Sequence, residues 1–335
     1  MNNEPYISVI VTCYNLENYI GEALKSVIDQ DYNPGSFEII VVDDCSTDRS
    51  PEIIKSFQQV RYIKTPHNQG VLLATLLGIQ HAKGEVLAFL DGDDIWRSDK
   101  LSRIAARFSN DQSLIFLTHN YSFVDEVGKI ISGLEYTQEI YRGIKDPDQV
   151  SRLIRDGILL RKNYVWLGSA YAIRLTPRDL SNFIDWTNSL PNPQLTYQDW
   201  TLAFWIAASC SGRFGYDSEK LFFYRIHSSN YSGDSKSLEK SIRNWSKSYY
   251  TSLAILDIAE RFSCDEKVKQ VCRSAVIKDK MILNLFQQPE QFSIVEFLRN
   301  WWCFGSFRLG FKELIRVLVI KIFGINIYFF LKKRF

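Results

Sequence analysis

The stretch GEVLAFLDGDDIW, residues 84–96, decides how the rest of the chain is read. Val86, Leu87, Ala88, Phe89 and Leu90 form an unbroken apolar run, as expected of a strand buried on both faces of a parallel sheet. Asp91, Gly92, Asp93 and Asp94 follow at once. Open α/β sheets place their ligands at the carboxyl ends of such strands. Carboxylates this close repel one another, so a divalent cation is their simplest partner. Hard ions such as Mg²⁺ or Mn²⁺ take one or two carboxylates together with substrate phosphates. The competing reading is an acidic turn that opens the next helix, because Asp-Gly is also a turn signal.

Upstream, the chain repeats the same grammar. Tyr6 to Thr12 (YISVIVT) is rich in β-branched residues and predicts a first buried strand. Leu16 to Gln30 carries Ile20, Leu24, Val27 and Ile28 at helical spacing, and Asn33-Pro34-Gly35 breaks it. Glu38 to Val42 predicts a second strand, which ends in Asp43 and Asp44. Ser46, Thr47 and Asp48 then offer N-caps for a short helix over 49–57. A third strand over 60–64, a helix over 71–82 and the strand over 86–90 complete four strands and three helices. That alternation predicts an α/β fold with a doubly wound, mainly parallel sheet. Right-handed crossovers bring Tyr14, Asp43, Asp44 and Asp91 to Asp94 to one edge.

The middle predicts strands over 113–118, 165–173 and 221–226, with a helix over 199–208. Beyond about residue 235 the pattern turns helical, over 246–262 and 266–285. The expected division is residues 1–235, with a nucleotide half to about 100 and an acceptor half after it, and a helical region over 236–335. Composition narrows the classes. Apolar residues make up 46% and charged residues 23%, which suits a globular core. Residues 301–335 hold seven Lys or Arg, one acid (Glu313) and ten aromatics, while the preceding 300 carry 33 basic and 37 acidic groups. A mildly acidic body with a basic aromatic tail does not describe a nucleic-acid binder. Six scattered cysteines lack zinc or disulfide spacing and fit a reducing cytosol. Met1 to Pro5 predicts no secretory leader, and no run of 18 uncharged apolar residues predicts a membrane span.

Four segments together carry a family resemblance: ISVIVTCYNLENYIGEALKSVIDQ, VVDDCSTDRS, the NQG loop at 68–70, and GEVLAFLDGDDIW. In order and spacing they resemble family 2 glycosyltransferases of the GT-A fold, strongly to Leu101 and loosely to about residue 230. The resemblance implies a nucleotide-sugar donor, most often with uracil as base, and Mn²⁺ or Mg²⁺ as cofactor. It places Thr12 and Tyr14 at the nucleotide edge, Asp44 on the base N–H and Asp43 as a brace. Asp91 resembles the acid at the ribose or at the metal, Asp93 the direct metal ligand, and Asp94 a residue that orients the turn. Leu195 to Trp200 (LTYQDW) resembles the motif that ends in the catalytic base, with Gln198 where Glu is commoner. Asp199 is therefore either the base or a cap of its own helix. Tyr224 to Asn230 resembles a loop that closes over the diphosphate, with His227 as a metal ligand or diphosphate donor and Arg225 as a phosphate-facing cation. That cation matters because the family's Ala-Arg-Asn is here Ala74-Thr75-Leu76.

The expected activity is inverting transfer of a sugar to a glycan or lipid-linked acceptor, in polysaccharide synthesis at the cell envelope. Two rivals stand beside it: an inactive scaffold of the same fold, and a sugar-phosphate nucleotidyltransferase, whose glycine-rich N-terminal loop ISVIVTCYN lacks. In the tail, Arg308, Lys312 and Arg316 recur at i, i+4 and i+8, with Phe307, Phe311, Leu314, Ile315 and Leu318 around them. This predicts a helix lying in a membrane interface at the cytoplasmic face, with Lys332, Lys333 and Arg334 at the headgroups. The alternative is a helix that packs on the body or on a second copy of the chain.

Overall fold

The structure is a computed structural model that describes residues 6–136, 144–162, 167–227, 237–304 and 307–334. The chain divides into two compact units, Met1–Gln194 with Gln198–His227, and Leu195–Tyr197 with Ser228–Phe335.

The first unit is built on one nine-stranded sheet. Its opening half is the predicted alternation: β1 (Ile7–Cys13), α1 (Ile20–Ile28), β2 (Phe37–Asp43), α2 (Ser50–Lys55), β3 (Val60–Lys64), α3 (Val71–His81) and β4 (Val86–Asp91). These strands are parallel, in the order β3-β2-β1-β4. Nearly every residue of β1 and β4 is buried, which the continuous apolar runs demanded. Their registers set Thr12 beside Asp91 and Cys13 beside Asp43, so the acidic strand ends meet at one edge.

The sheet then turns mixed. After β5 (Ile95–Trp96) and α4 (Lys100–Asn110) come β6 (Leu114–Val124), β7 (Ile130–Tyr136), α5 (Pro147–Leu159), β8 (Tyr171–Ile173), α6 (Pro177–Ser189), α7 (Gln198–Ser209) and β9 (Arg213–Arg225). The order continues β4-β8-β6-β9-β5, with β7 on β6. Several expectations are corrected here. The strand expected over 165–173 is a strand only at Tyr171–Ile173; Gly168–Ala170 is a 3-10 turn, and 163–166 lie outside the described residues. The strand expected over 113–118 runs on to Val124, and the one over 221–226 begins at Arg213. Buried polar residues hid both extensions: Asn120 donates to the Ser218 carbonyl at 2.7 Å, and Asp217 receives Arg103 at 2.9 and 3.1 Å. Asn120 is satisfied within the sheet and Asp217 by α4, which is what lets polar side chains occupy these strands.

The second unit is helical: α8 (Leu238–Arg261), α9 (Glu266–Gln287), α10 (Ile294–Arg299), α11 (Phe307–Phe323) and α12 (Ile325–Arg334). Gly324, at φ +82°, separates the last two. Met281, Ile282, Leu285 and Phe286 of α9 share a core with Phe297, Val317, Ile320 and Phe329. The tail therefore packs on its own unit, and this revises the expected basic stripe. Arg316 is mostly buried, pairs with Glu313 at 2.7 Å, and lies over the Trp245 and Phe286 rings. The outward face of α11 is apolar instead, with Phe311, Ile315, Leu318 and Ile322 exposed at 4-3-4 spacing beside Lys312. Among the described residues no helix is long and apolar enough to cross a membrane. The side chains of Arg308, Lys332, Lys333 and Arg334 lie outside the described set.

Candidate active site

The loops after β1 and β2 are fastened to each other by side-chain-to-backbone bonds. Asn15 N–H donates to Ser46 Oγ and Leu16 N–H to Ser50 Oγ, both at 2.9 Å, and Glu17 N–H to Asp48 at 3.0 Å. In return Thr47 N–H donates to Asn15 Oδ1 at 2.8 Å and Arg49 N–H to Glu17 at 3.1 Å. This is why α1 starts at Ile20 and not at Leu16: the intervening residues are held by the neighbouring loop. The caps expected of Ser46 and Asp48 serve this junction. Tyr14 stands at its rim, 46% exposed.

Asp43 is fully buried and takes Ser46 N–H at 2.9 Å and the Tyr62 hydroxyl at 2.8 Å, in keeping with a brace. Asp44 accepts from Thr65 Oγ1 at 3.0 Å and from the N–H groups of Gln69 and Gly70, each at 2.8 Å. Three of roughly four acceptor positions of a carboxylate are thus used within the fold. Gly70 has φ +85°, and a Cβ there would sit 2.3 Å from the Gln194 carbonyl oxygen. The NQG loop is thereby pressed against the segment that leads to Asp199. Ala74, Thr75 and Leu76 are buried in α3.

The acidic turn is held from several sides. Gly92 N–H donates to the Thr12 carbonyl and Asp94 N–H to the Asp91 carbonyl, both at 2.9 Å, while Thr12 Oγ1 stands 3.5 Å from Asp91 Oδ1. Ser169 Oγ receives Asp91 N–H at 3.0 Å, and Asp94 Oδ1 receives Arg225 N–H at 3.0 Å. Arg225, 1% exposed, has its guanidinium committed to protein oxygens: the Asp93 carbonyl at 2.9 Å, the Glu126 carbonyl at 2.8 Å and the Glu22 carboxylate at 2.5 Å. It clamps the turn from behind, so it does not stand as the phosphate-facing cation expected from the sequence. His227 Nε2 lies 3.0 Å from Asp93 Oδ2, and its ring packs against Tyr19 with centroids 4.3 Å apart and the planes tilted by 40°. Ser228 to Asn230 lie outside the described residues.

Asp199 sits in the first turn of α7, one residue inside the helix, where Oδ1 accepts Trp200 N–H at 2.8 Å. Burial pushes its carboxyl up to about 6. Burial, then Asp93, then Asp199 push Asp91 up to about 8, so the two carboxylates feel one another. Asp94 is raised well above the carboxylate range by burial and by Asp93 and Asp91. Among the described residues no three acid, imidazole or thiol side chains form a ready-made metal cage. A Mg²⁺-type site does not require one, because one or two carboxylates and the substrate's phosphates complete the shell. Asp91 and Asp93 fit that pattern, since the burial and crowding that raise the Asp91 carboxyl are what a bound cation would offset.

The sequence had not singled out Lys100, Gly168 and Ser169, which also meet at this turn. Only Lys100 gave a hint, as a lysine one residue ahead of Leu101 where α4 begins its buried face.

The glycosyl transferase family 2 model matches residues 8–167, which hold β1 to β4 and the acidic turn. This segment is a family 2 glycosyltransferase domain. An uncharacterized glycosyltransferase of Haemophilus influenzae is 35% identical over 142 residues, 41% of this chain and 56% of that protein. The putative teichuronic acid biosynthesis glycosyltransferase TuaG of Bacillus subtilis is 34% identical over 131 residues, 38% of this chain and 51% of TuaG. The matched part thus spans about half the length of these curated relatives. Beyond the family 2 domain, the fold is like that of S. aureus TarS in complex with UDP-GlcNAc, with a TM-score of 0.56 at 19% identity over 91% of this chain and 81% of that one. A mannosyltransferase from Pyrobaculum calidifontis in complex with GDP-Man and Mn²⁺ gives 0.51 at 15% identity over 95% and 81%. The fold is GT-A, as expected.

Proposed function

We propose that this chain is an inverting, metal-dependent glycosyltransferase that moves a sugar from a nucleoside-diphosphate donor to a hydroxyl of a glycan or lipid-linked acceptor. What supports this is the approach of the acidic turn to the start of α7 across Gly168: a Cβ there would lie 3.6 Å from Asp91 Oδ2 and 2.3 Å from Gln198 Nε2, the residue before Asp199. In this reading Asp199 is the base, and it faces the turn that would hold the diphosphate. Asp199 takes the proton of the acceptor hydroxyl while that oxygen attacks the anomeric carbon and the bond to the diphosphate breaks; direct attack inverts the centre. Asp93 and Asp91 would hold Mn²⁺ or Mg²⁺, which neutralises charge growing on the departing diphosphate. His227 steadies Asp93 through the 3.0 Å contact, and Arg225 steadies the turn's backbone. Thr12, Tyr14, Asp43 and Asp44 line or brace the nucleotide edge. TarS binds UDP-GlcNAc, which favours a UDP-sugar.

Donor binding is metal-linked through Asp93 in this account. Calorimetry with UDP is expected to show tight binding with Mn²⁺ and much weaker binding with EDTA or in Asp93→Ala. Equal affinity in all three overturns it. Nucleotide-sugar hydrolysis with and without Mn²⁺ separates the rivals: a scaffold shows none, and a nucleotidyltransferase consumes a sugar phosphate instead. The apolar outer face of α11, in a tail of net charge +6, supports peripheral contact with the inner face of the plasma membrane, where lipid-linked acceptors lie.

A further inference from the structure

We propose that Ser169, anchored by Lys100, is a positioning residue that fixes the backbone of the metal-holding turn, and that Gly168 beside it sets the spacing from that turn to the base-bearing helix. The inference rests on the function proposed above.

Lys100 is fully buried, an unusual place for an ammonium group. Its Nζ donates to the Ser169 carbonyl at 2.5 Å and stands 4.1 Å from the centre of the Trp96 ring. Nothing in general folding calls for a lysine there; its bond goes to one carbonyl, and that carbonyl belongs to the residue touching the acidic turn. Ser169 Oγ accepts Asp91 N–H at 3.0 Å, and its hydroxyl favours the ionised form of the Asp94 carboxyl nearby. One residue therefore holds the start of the Asp91–Asp94 turn and lies near its end, while Arg225 takes the Asp93 carbonyl with its guanidinium and Asp94 Oδ1 with its backbone N–H.

Gly168 completes the device. A Cβ at this position would lie 2.3 Å from Gln198 Nε2 and 3.6 Å from Asp91 Oδ2. Gln198 is 5% exposed and immediately precedes Asp199. The turn 168–170 is thus a spacer with the diphosphate-holding carboxylate on one side and the residue before the base on the other. Shortening or loosening the Ser169 side shifts the metal turn; thickening the Gly168 side displaces the buried Gln198 amide, the side chain next to the base. The two perturbations act on different steps of the same reaction.

The test uses the full chain and reads binding separately from turnover. In Ser169→Ala, the affinity for Mn²⁺ with UDP, measured calorimetrically, is expected to fall about tenfold, the effect typical of losing a residue that orients a metal ligand. UDP binding in EDTA is expected to stay as in the native chain. Ser169→Thr, which keeps the hydroxyl, restores the affinity. Gly168→Ala is expected to leave Mn²⁺·UDP affinity within twofold and to lower kcat tenfold or more. If Lys100→Met fails to fold, the serine and glycine variants still decide. A Ser169→Ala protein with native Mn²⁺·UDP affinity, or a Gly168→Ala protein with native kcat, overturns the proposal. Absence of Mn²⁺·UDP binding in the native chain would instead overturn the function on which it rests.

Discussion

Asp199 and Asp91 carry most of the site's pH behaviour. A base must be ionised to act, and burial holds Asp199 near 6. The acidic limb of kcat/KM is therefore expected at about pH 6, with activity falling roughly tenfold per unit below it. Asp199→Asn is expected to keep the fold and Mn²⁺·UDP affinity while lowering kcat by roughly two to four orders of magnitude. Retained turnover would assign Asp199 to helix-end bonding alone. Asp91 gives a separate, thermodynamic signature. Its carboxyl is raised to about 8 in the folded, metal-free chain and returns to the ordinary range, about 4, on unfolding. The folded state therefore holds the proton more tightly. That contribution to stability is complete below about pH 4 and is lost as pH rises toward 8. Melting of the metal-free protein between pH 5 and pH 8.5 is expected to show Tm falling, with a smaller slope in Asp91→Asn. An unchanged slope would mean Asp91 is ionised without a cation.

At the scale of elements, the NQG loop is the tightest junction. Gly70 combines a positive φ with a close approach to the Gln194 carbonyl. Gly70→Ala pays for both, about 1 kcal/mol for backbone conformation and more for the displaced loop. A drop in Tm of at least several degrees and weaker UDP binding are expected, because Asp44 loses the loop geometry it holds. A variant with native Tm would show that the loop moves aside freely. The sequence told Gly70 from an ordinary turn glycine only through the family resemblance. Elements made of uniform apolar runs, β1, β2 and β4, were legible directly, because burial on both faces leaves one pattern. Elements that bury polar groups were not. His119, Asn120 and Asp217 interrupt β6 and β9, and the satisfaction of Asn120 and Asp217 by partners about a hundred residues away has no local trace. The same reason separates the site residues. Asp91, Asp93 and Asp199 were visible as an acidic turn and a motif. The role of Arg225 was misjudged because its partners Glu22, Asp93 and Glu126 come from distant segments. Lys100 and Ser169 were missed for the same cause.

For the whole molecule, the question is what faces the apolar stripe on α11. Ending the chain near Gln291 would remove Phe297, Val317, Ile320 and Phe329 from the second unit's core, so truncation tests folding and not attachment. Point changes on the outer face avoid this. Ile315→Glu with Ile322→Glu is expected to abolish co-sedimentation with vesicles of phosphatidylglycerol and phosphatidylcholine while leaving Tm within a few degrees. The native chain is expected to bind at low salt and to bind less as salt rises, because each lysine or arginine near an anionic surface contributes about 1 kcal/mol that salt screens. Binding that survives both changes would place the contact elsewhere. No vesicle binding, with the native chain dimeric and the variant monomeric, would assign the stripe to a second copy.

The fastened loops after β1 and β2 bear on how this scaffold could be re-engineered. Their joints run from side chains to backbone N–H groups, so the main chain is set by Asn15, Ser46, Asp48, Glu17 and Ser50 whatever stands at Tyr14 or Cys45. A library meant to retune base preference can therefore randomise Tyr14 at little risk to the frame. Cys45, at φ +64°, is best replaced by glycine, asparagine or aspartate, which tolerate that backbone. The five joint residues would form the fixed part of the design, and diversity there would be expected to yield mostly unfolded clones.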